Sequence, residues 1–154
     1  MINRFAIPLL LAAATVAFAR GSTMRDDSAD DKTHRATVKG ATITSAFDVK
    51  VADANDVTFS LAVTNFTAKM MELRFPDGRT HDFYVVDASG KEVWRWSKGR
   101  MFTQGIQNKL LKSRSTTIFD EKWNPEGLVG EFTAIAVLRS DNHPVESRVT
   151  FTLP

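Results

Sequence analysis

The sequence predicts an all-β protein, an immunoglobulin-like antiparallel β-sandwich of seven to eight strands. In a series of short segments, apolar residues alternate with polar ones, the period expected of half-buried strands. Turns rich in glycine, proline, asparagine and aspartate separate these segments. The chain has no cysteine, so the disulfide that often joins the two sheets of such domains is absent and the apolar core must hold them together.

Two segments precede the predicted domain. Residues 1–19 combine a short basic start, an apolar stretch and the small-residue sequence Ala17-Phe18-Ala19, which is typical of a cleaved secretory signal peptide. The apolar stretch is shorter than the roughly 20 residues that span a bilayer. Residues 20–36 are polar and charged, so they bury too little apolar surface to become ordered, and we predict a flexible linker. The expected product is an exported protein, periplasmic or secreted, cleaved near Ala19 and free of the membrane.

Residues 37–154 form the predicted domain. Its first strand lies within residues 38–51, where Phe47, Val49 and Val51 alternate with polar residues. The later segments with strand character are 57–64, 71–75, 83–86, 116–119, 132–138 and 149–153. Only residues 104–111 are compatible with a turn or two of helix, and Gly105 weakens that helix.

The charge balance and the scarcity of reactive side chains exclude several classes of function. The net charge is only +2, which is not the basic excess that nucleic-acid binding requires. The three histidines, His34, His81 and His143, have no metal-ligand spacing, and no nucleophile motif is present. His81 and Asp82 lie next to the predicted strand 83–86, and in a strand the two side chains would point to opposite faces. We therefore predict no enzyme activity, no cofactor and no metal.

The most unusual stretch is VWRWSKGRMFTQ, residues 93–104. Trp94 and Trp96 are two residues apart, so in a strand they share one face. One interpretation places one or both in the core, since a small domain without disulfides needs such large apolar groups. The other interpretation is an exposed aromatic patch that binds a protein or a sugar.

Three segments together resemble the BsuPI family of intracellular proteinase inhibitors. They are FSLAVTN at 59–65, LRFPDGRTHDFYVVDASGKEVWRWSKGRMFTQ at 73–104 and FDEKWN at 119–124, and the resemblance spans about residues 57–138. It implies a β-sandwich that inhibits a serine proteinase by binding, although export puts an intracellular target out of reach. The residues that match the family's pattern, which we interpret as structural, are Asn65, Phe83, Trp94, Trp96, Phe102, Thr103, Gln104 and Trp123.

Specific structural roles follow for some of these residues. We expect Asn65 to turn the chain after its strand, although Asn65-Phe66-Thr67 also fits a glycosylation sequon. Phe102 is predicted to close the end of the core. Gln104 is predicted to satisfy backbone groups where the chain crosses between sheets.

Two basic turns are the candidate partner-binding sites, and we expect them to be neighbours. Their residues are Asp77, Arg79, Lys98, Arg100 and Met101, with residues 124–128 as a further loop. Arginine is favoured at interface hot spots, although most charged turns are only solvated. The expected partner is a proteinase or another protein. The alternative function is a non-catalytic envelope or extracellular module that binds protein or carbohydrate through Trp94, Trp96 or Trp123.

Overall fold

A computed structural model describes residues 32–154, and in this part of the chain there are ten β-strands and no helix. The strands are β1 Lys32–Lys39, β2 Ile43–Asp53, β3 Asp56–Asn65, β4 Met71–Phe75, β5 His81–Asp87, β6 Glu92–Arg95, β7 Gln107–Leu111, β8 Thr116–Trp123, β9 Gly130–Leu138 and β10 Val145–Leu153. The predicted signal peptide and residues 20–31 of the predicted linker lie outside the described residues.

Two four-stranded antiparallel sheets pack against each other, which confirms the predicted all-β sandwich. One sheet has the strand order β1-β2-β3-β8 and the other β10-β9-β5-β6. A two-stranded ribbon of β4 and β7 completes the fold. The two sheets together have eight strands, the upper end of the predicted range of seven to eight, and the ribbon brings the total to ten.

The core consists of alternate residues from both sheets. Phe47 and Phe59 from one sheet and Phe83 from the other are fully buried, and the ring centroids of Phe47 and Phe59 each lie 5.8 Å from that of Phe83. Burying an aromatic side chain of this size contributes about 2–3 kcal/mol. Because these rings join the two sheets directly, they replace the missing disulfide as the link between the layers.

Residues 107–111 form strand β7, so the helix considered for this segment is wrong. β7 pairs with β4 in register from Met71↔Leu111 to Phe75↔Gln107, and Leu111 is buried in the core. Pairing with a strand more than thirty positions away satisfies the backbone groups along one edge of the segment and buries its last side chain, and these gains override a weak local helical preference.

Strand β1 starts at Lys32, inside the segment predicted to be a linker. It pairs with β2 over its whole length, from Lys32↔Val51 to Lys39↔Thr44. Ladder hydrogen bonds come from the backbone, so a polar segment can join a sheet edge without burying many side chains. Ala36 is the β1 residue that packs against the core.

Candidate functional site

The two predicted basic turns are neighbours in the structure. The backbone N–H of Gly78 donates to the carbonyl of Thr103 at 2.7 Å. Arg79 Nη1 donates to Ser97 Oγ at 3.5 Å. A Cβ atom at Gly78 would lie 3.0 Å from the nitrogen of Thr103, so only glycine permits this close approach of the two backbones. These contacts join the turn after β4 to the loop formed by residues 98–104.

The beginning of the 98–104 loop is fastened to Trp96. Arg100 Nε donates to the carbonyl of Trp96 at 2.9 Å, and its guanidinium lies 4.8 Å from the centroid of the Trp96 ring. Gly99 has φ +77°, a conformation that glycine adopts without strain. The backbone N–H of Arg100 also donates to the carbonyl of Ser97 at 3.2 Å. The guanidinium of Arg100 therefore lies against Trp96 and holds the turn in place, while the residue itself remains exposed.

The middle of the loop is exposed. Met101 is 99% exposed, and residues 101–104 form no regular secondary structure. Phe102 is half-buried against Trp96, with ring centroids 5.5 Å apart, and lies outside the main core cluster. Gln104 is exposed and donates from Nε2 to the carbonyl of Phe102 at 3.2 Å. Phe102 therefore covers Trp96 and does not close the end of the core, and Gln104 bonds to a backbone carbonyl within its own segment.

His81 supports Trp96 from within the sandwich. The two rings are stacked with centroids 4.5 Å apart. His81 Nε2 lies 3.1 Å from Glu121 Oε1 on the opposite sheet, and Nδ1 lies 3.1 Å from Thr80 Oγ1. Burial lowers the pKa of His81 below its usual value, and the neighbouring Glu121 carboxylate offsets part of that effect. A neutral imidazole that donates from Nε2 to Glu121 and accepts at Nδ1 satisfies both contacts.

Asp82 points to the other side of the same strand, as predicted for two adjacent residues. It is 4% exposed and accepts from the hydroxyl of Ser97 at 2.7 Å and from the Ser97 N–H at 3.3 Å. Nη1 of Arg79 lies 3.9 Å from Asp82 Oδ2, and Nη1 of Arg95 lies 3.8 Å from the same atom. This cluster fixes Ser97, the residue immediately before the 98–104 loop.

Three of the five candidate partner-binding residues have partners within the protein. Asp77 accepts from the N–H of Arg79 at 2.8 Å and lies 3.6 Å from Nη1 of Arg139. Arg79 contacts Asp82 and Ser97, and Arg100 contacts Trp96. Within residues 32–154, the side chains of Lys98 and Met101 have no hydrogen bond or ion pair, and both are exposed.

Asn65 orders a second loop by a different arrangement. It is fully buried, and Nδ2 lies within hydrogen-bond distance of three carbonyls, those of Lys69, Leu111 and Lys112, at 2.8–3.1 Å. Its Oδ1 accepts from the N–H and the hydroxyl of Thr67, both at 2.8 Å. These contacts place Asn65 at the turn after β3, and because Nδ2 is buried and occupied, the sequon cannot accept a glycan in the folded chain.

The remaining tryptophans are packed against the core. The Trp94 ring centroid lies 5.4 Å from that of Phe59 and 5.5 Å from that of Trp123. Trp123 is buried and stacks on Phe59 at 6.3 Å. A surface groove of about 470 Å³ runs past both tryptophans; it is lined by Val93, Trp94, Lys122, Trp123, Asn124, Pro125, Glu126 and Leu128. Trp94 and Trp96 are both partly buried and pack on the core cluster, as the structural interpretation of these residues expects.

Residues 32–154 contain no group of three or more histidine, aspartate or glutamate side chains arranged to hold a metal ion. Within the same range, no helix is long and apolar enough to cross a membrane.

The chain shows distant similarity to solved structures. The chain aligns with a β-glucuronidase of Bacteroides uniformis at 12% identity and a TM-score of 0.41, covering 79% of this chain and 13% of that one. It aligns with a β-glucosidase of Kluyveromyces marxianus in complex with glucose at 11% identity and a TM-score of 0.39, covering 80% and 14%. The chain thus spans about one seventh or less of these enzymes. No curated protein matches the sequence.

The family comparison is specific. The family model described as BsuPI, intracellular proteinase inhibitor, matches residues 44–143, which is most of the described domain. This range contains strands β3 to β9, the Asn65 turn and the whole 98–104 loop. It also agrees with the resemblance identified in the sequence. The chain therefore belongs to the BsuPI family of intracellular proteinase inhibitors.

Proposed function

We propose that this protein inhibits a serine proteinase outside the cytoplasm by presenting the 98–104 loop to the enzyme's active site. One observation carries the proposal: the loop is exposed at Met101 and is held by internal contacts on both sides of that residue. Membership of an inhibitor family supports a protein partner, and the predicted signal peptide supports the location.

Rigidity is the property that an inhibitory loop needs. A loop that is ordered before binding loses less conformational entropy on association, so more of the contact energy appears as affinity. The contacts of Arg100 with Trp96 and of Thr103 with Gly78 provide that order here. Neither contact involves the side chain of Met101, so a partner can bind the tip without disturbing the anchors. The proposed role requires binding alone and no chemistry by the inhibitor.

Inhibition assays with matched variants test the proposal. The full chain, purified after export, is titrated into subtilisin-type, chymotrypsin-type and trypsin-type serine proteinases while the hydrolysis of a chromogenic peptide is followed. We expect inhibition of at least one enzyme, with the chain recovered intact. Arg100→Gln, which removes the contact with Trp96, should weaken that inhibition. Arg148→Gln is the control, because Arg148 is exposed and pairs only with Glu146 among the described residues.

Two results would contradict the proposal, besides a complete absence of inhibition of serine proteinases by wild type. One is hydrolysis of the chain within residues 98–104 without inhibition, because the loop would then be an ordinary substrate. The other is equal loss of inhibition in Arg100→Gln and Arg148→Gln at unchanged stability, because the binding surface would then lie elsewhere.

The location has its own test. We expect N-terminal sequencing of the protein recovered from the periplasm or medium to begin at Arg20, after the predicted cleavage at Ala19. Recovery of the intact chain from the cytoplasm alone would contradict export and would indicate an intracellular target, in agreement with the name of the family.

A further inference from the structure

The tip of the 98–104 loop presents one apolar side chain between two fixed points. Met101 is 99% exposed, compared with 70% for Ile106 and 61% for Leu110 on the neighbouring segment. Arg100 on one side is bound to Trp96, and Thr103 on the other side is bound to Gly78. The backbone of Met101 is therefore positioned while its side chain has no contact to give up on binding.

The charged residues of the loop are less suited to enter a partner's pocket. The guanidinium of Arg100 lies over the Trp96 ring at 4.8 Å and its Nε is bonded to the Trp96 carbonyl. Insertion of this group into a partner would break both contacts and loosen the turn. Lys98 precedes the Gly99 turn, so it lies outside the span between the two anchors. Met101 alone combines full exposure with anchors on both sides.

We propose that Met101 is the specificity-determining residue of the loop and that it inserts into an apolar specificity pocket of the partner serine proteinase. This inference rests on the proposed inhibitory function and narrows it to one class of target. Methionine is unbranched and has a polarizable thioether, so it fits apolar pockets of different shapes. A proteinase with an acidic specificity pocket, which the basic character of the turn would favour, is excluded as the preferred target.

Substitutions at Met101 test the assignment through inhibition constants. The probes are a chymotrypsin-type proteinase, whose specificity pocket is apolar, and a trypsin-type proteinase, whose pocket contains an aspartate. We expect wild type to inhibit the first more strongly. Met101→Ala should weaken that inhibition about 30-fold, as the loss of a buried methionine side chain predicts. Met101→Leu should retain most of it, and Met101→Lys should shift the preference towards the trypsin-type enzyme.

Two further variants decide between Met101 and its neighbours. Ile106→Ala is the matched control, because it removes an exposed apolar side chain outside the anchored span, and inhibition should not change. Lys98→Ala tests the alternative that Lys98 determines specificity. If inhibition weakens more in Lys98→Ala than in Met101→Ala, the assignment of Met101 is overturned. If wild type inhibits and the Met101 variants inhibit equally well, this inference fails and the proposed function stands. If wild type inhibits no serine proteinase, the proposed function fails and the inference falls with it.

Oxidation supplies an independent measurement on the unsubstituted residue. Hydrogen peroxide transfers one oxygen atom to the methionine sulfur and is reduced to water, which turns an apolar side chain into a polar one. In a Met70→Leu background, which removes another exposed methionine, peroxide should weaken inhibition about as much as Met101→Ala does. A methionine sulfoxide reductase should restore it, and Met101→Leu should resist the treatment. Full inhibition after complete oxidation of Met101 would overturn the assignment.

Discussion

The Asn65 turn and the 98–104 loop are both ordered, but the turn is held by a buried side chain and the loop by groups at the surface. Asn65 is fully buried and binds three carbonyls from within. The 98–104 loop is held by Arg100, an exposed residue that lies on Trp96, and by a backbone contact with Gly78. The buried arrangement ties distant strands together, whereas the surface arrangement holds a loop in place and leaves its tip accessible.

This difference separates stability from recognition. A buried polar group that loses its partners is strongly unfavourable, so the Asn65 turn should be sensitive to substitution in every unfolding experiment. Loss of a surface anchor leaves its former partners accessible to water, so the 98–104 loop can loosen while the fold survives. Substitutions should therefore reduce stability at the first region and partner binding at the second.

Asn65→Ala should have the largest effect on stability. It removes five hydrogen-bond contacts and leaves the buried Leu111 carbonyl without that partner, so we expect the free energy of unfolding to fall by about 3–5 kcal/mol. Urea unfolding at neutral pH measures it. Asn108→Ala, on the exposed face of β7, should change the value by less than about 0.5 kcal/mol. Equal effects of the two substitutions would remove the distinction between buried and surface anchors.

Trp94→Ala and Trp96→Ala should separate the stability of the fold from the order of the 98–104 loop, although the two residues lie in one short segment. Trp94 stacks on Phe59 and Trp123, so its loss should cost about 3 kcal/mol; Trp96 packs at the edge of the core and its loss should cost about 2 kcal/mol. Only Trp96→Ala should speed amide hydrogen exchange in residues 98–104, since Arg100 and Phe102 both contact this ring. Equal acceleration in Trp94→Ala would show that the loop responds to global stability alone.

Gly78→Ala should move the loop at a small cost in stability. The added methyl group would lie 3.0 Å from the nitrogen of Thr103, so the loop backbone must shift, at about 1–2 kcal/mol. We expect inhibition to weaken by more than this destabilisation accounts for. Gly105→Ala is the control, because no atom lies within 4 Å of its added methyl group. Unchanged inhibition by a folded Gly78→Ala protein would show that the Thr103 contact is not needed.

Protonation of His81 should make the free energy of unfolding depend on pH, and this is the smallest of the expected effects on stability. Its pKa is lowered from 6.5 in the folded protein by burial, against the opposing effects of Glu121 and Asp82, while Lys109 lowers it further. The unfolded chain then binds more protons between the two pKa values, so stability should fall as pH drops through about 6.5 and level off below the folded pKa. Urea unfolding between pH 8 and 5 should show a smaller fall in His81→Gln, whereas His143→Gln should match wild type. Identical profiles for all three would contradict this role.

The strands of the sandwich were predictable because their signal is local. Alternation of apolar and polar residues in segments such as Val57 to Thr64 reflects the period of a strand with one buried face, and it needs no knowledge of the partner strand. The same property oriented His81 and Asp82 to opposite faces. The motif with Trp94, Trp96 and residues 102–104 indicated the family before the geometry was known.

Other features depend on contacts between residues far apart in the chain, and sequence pattern does not encode them. Strand β7 forms because it pairs with β4 and buries Leu111 in the core, although residues 104–111 by themselves favour no structure strongly. Asn65 finds two of its carbonyl partners 46 and 47 positions away. The sequence predicted that the two basic turns are neighbours. It did not predict the contact that joins them, between Gly78 and Thr103, which forms only in the folded chain.

The sequence by itself determined the all-β class, most of the strands and the family, because each depends on short-range alternation or on a local motif. Tertiary structure alone decided the roles within the candidate site. The sequence does not distinguish Arg79 and Arg100 from any other exposed arginine. In the structure Arg79 contacts Asp82 and Arg100 contacts Trp96, whereas Met101 is exposed between two anchors. The physical reason is that availability for binding depends on what a side chain already contacts, and those contacts form only when the two sheets and their loops come together.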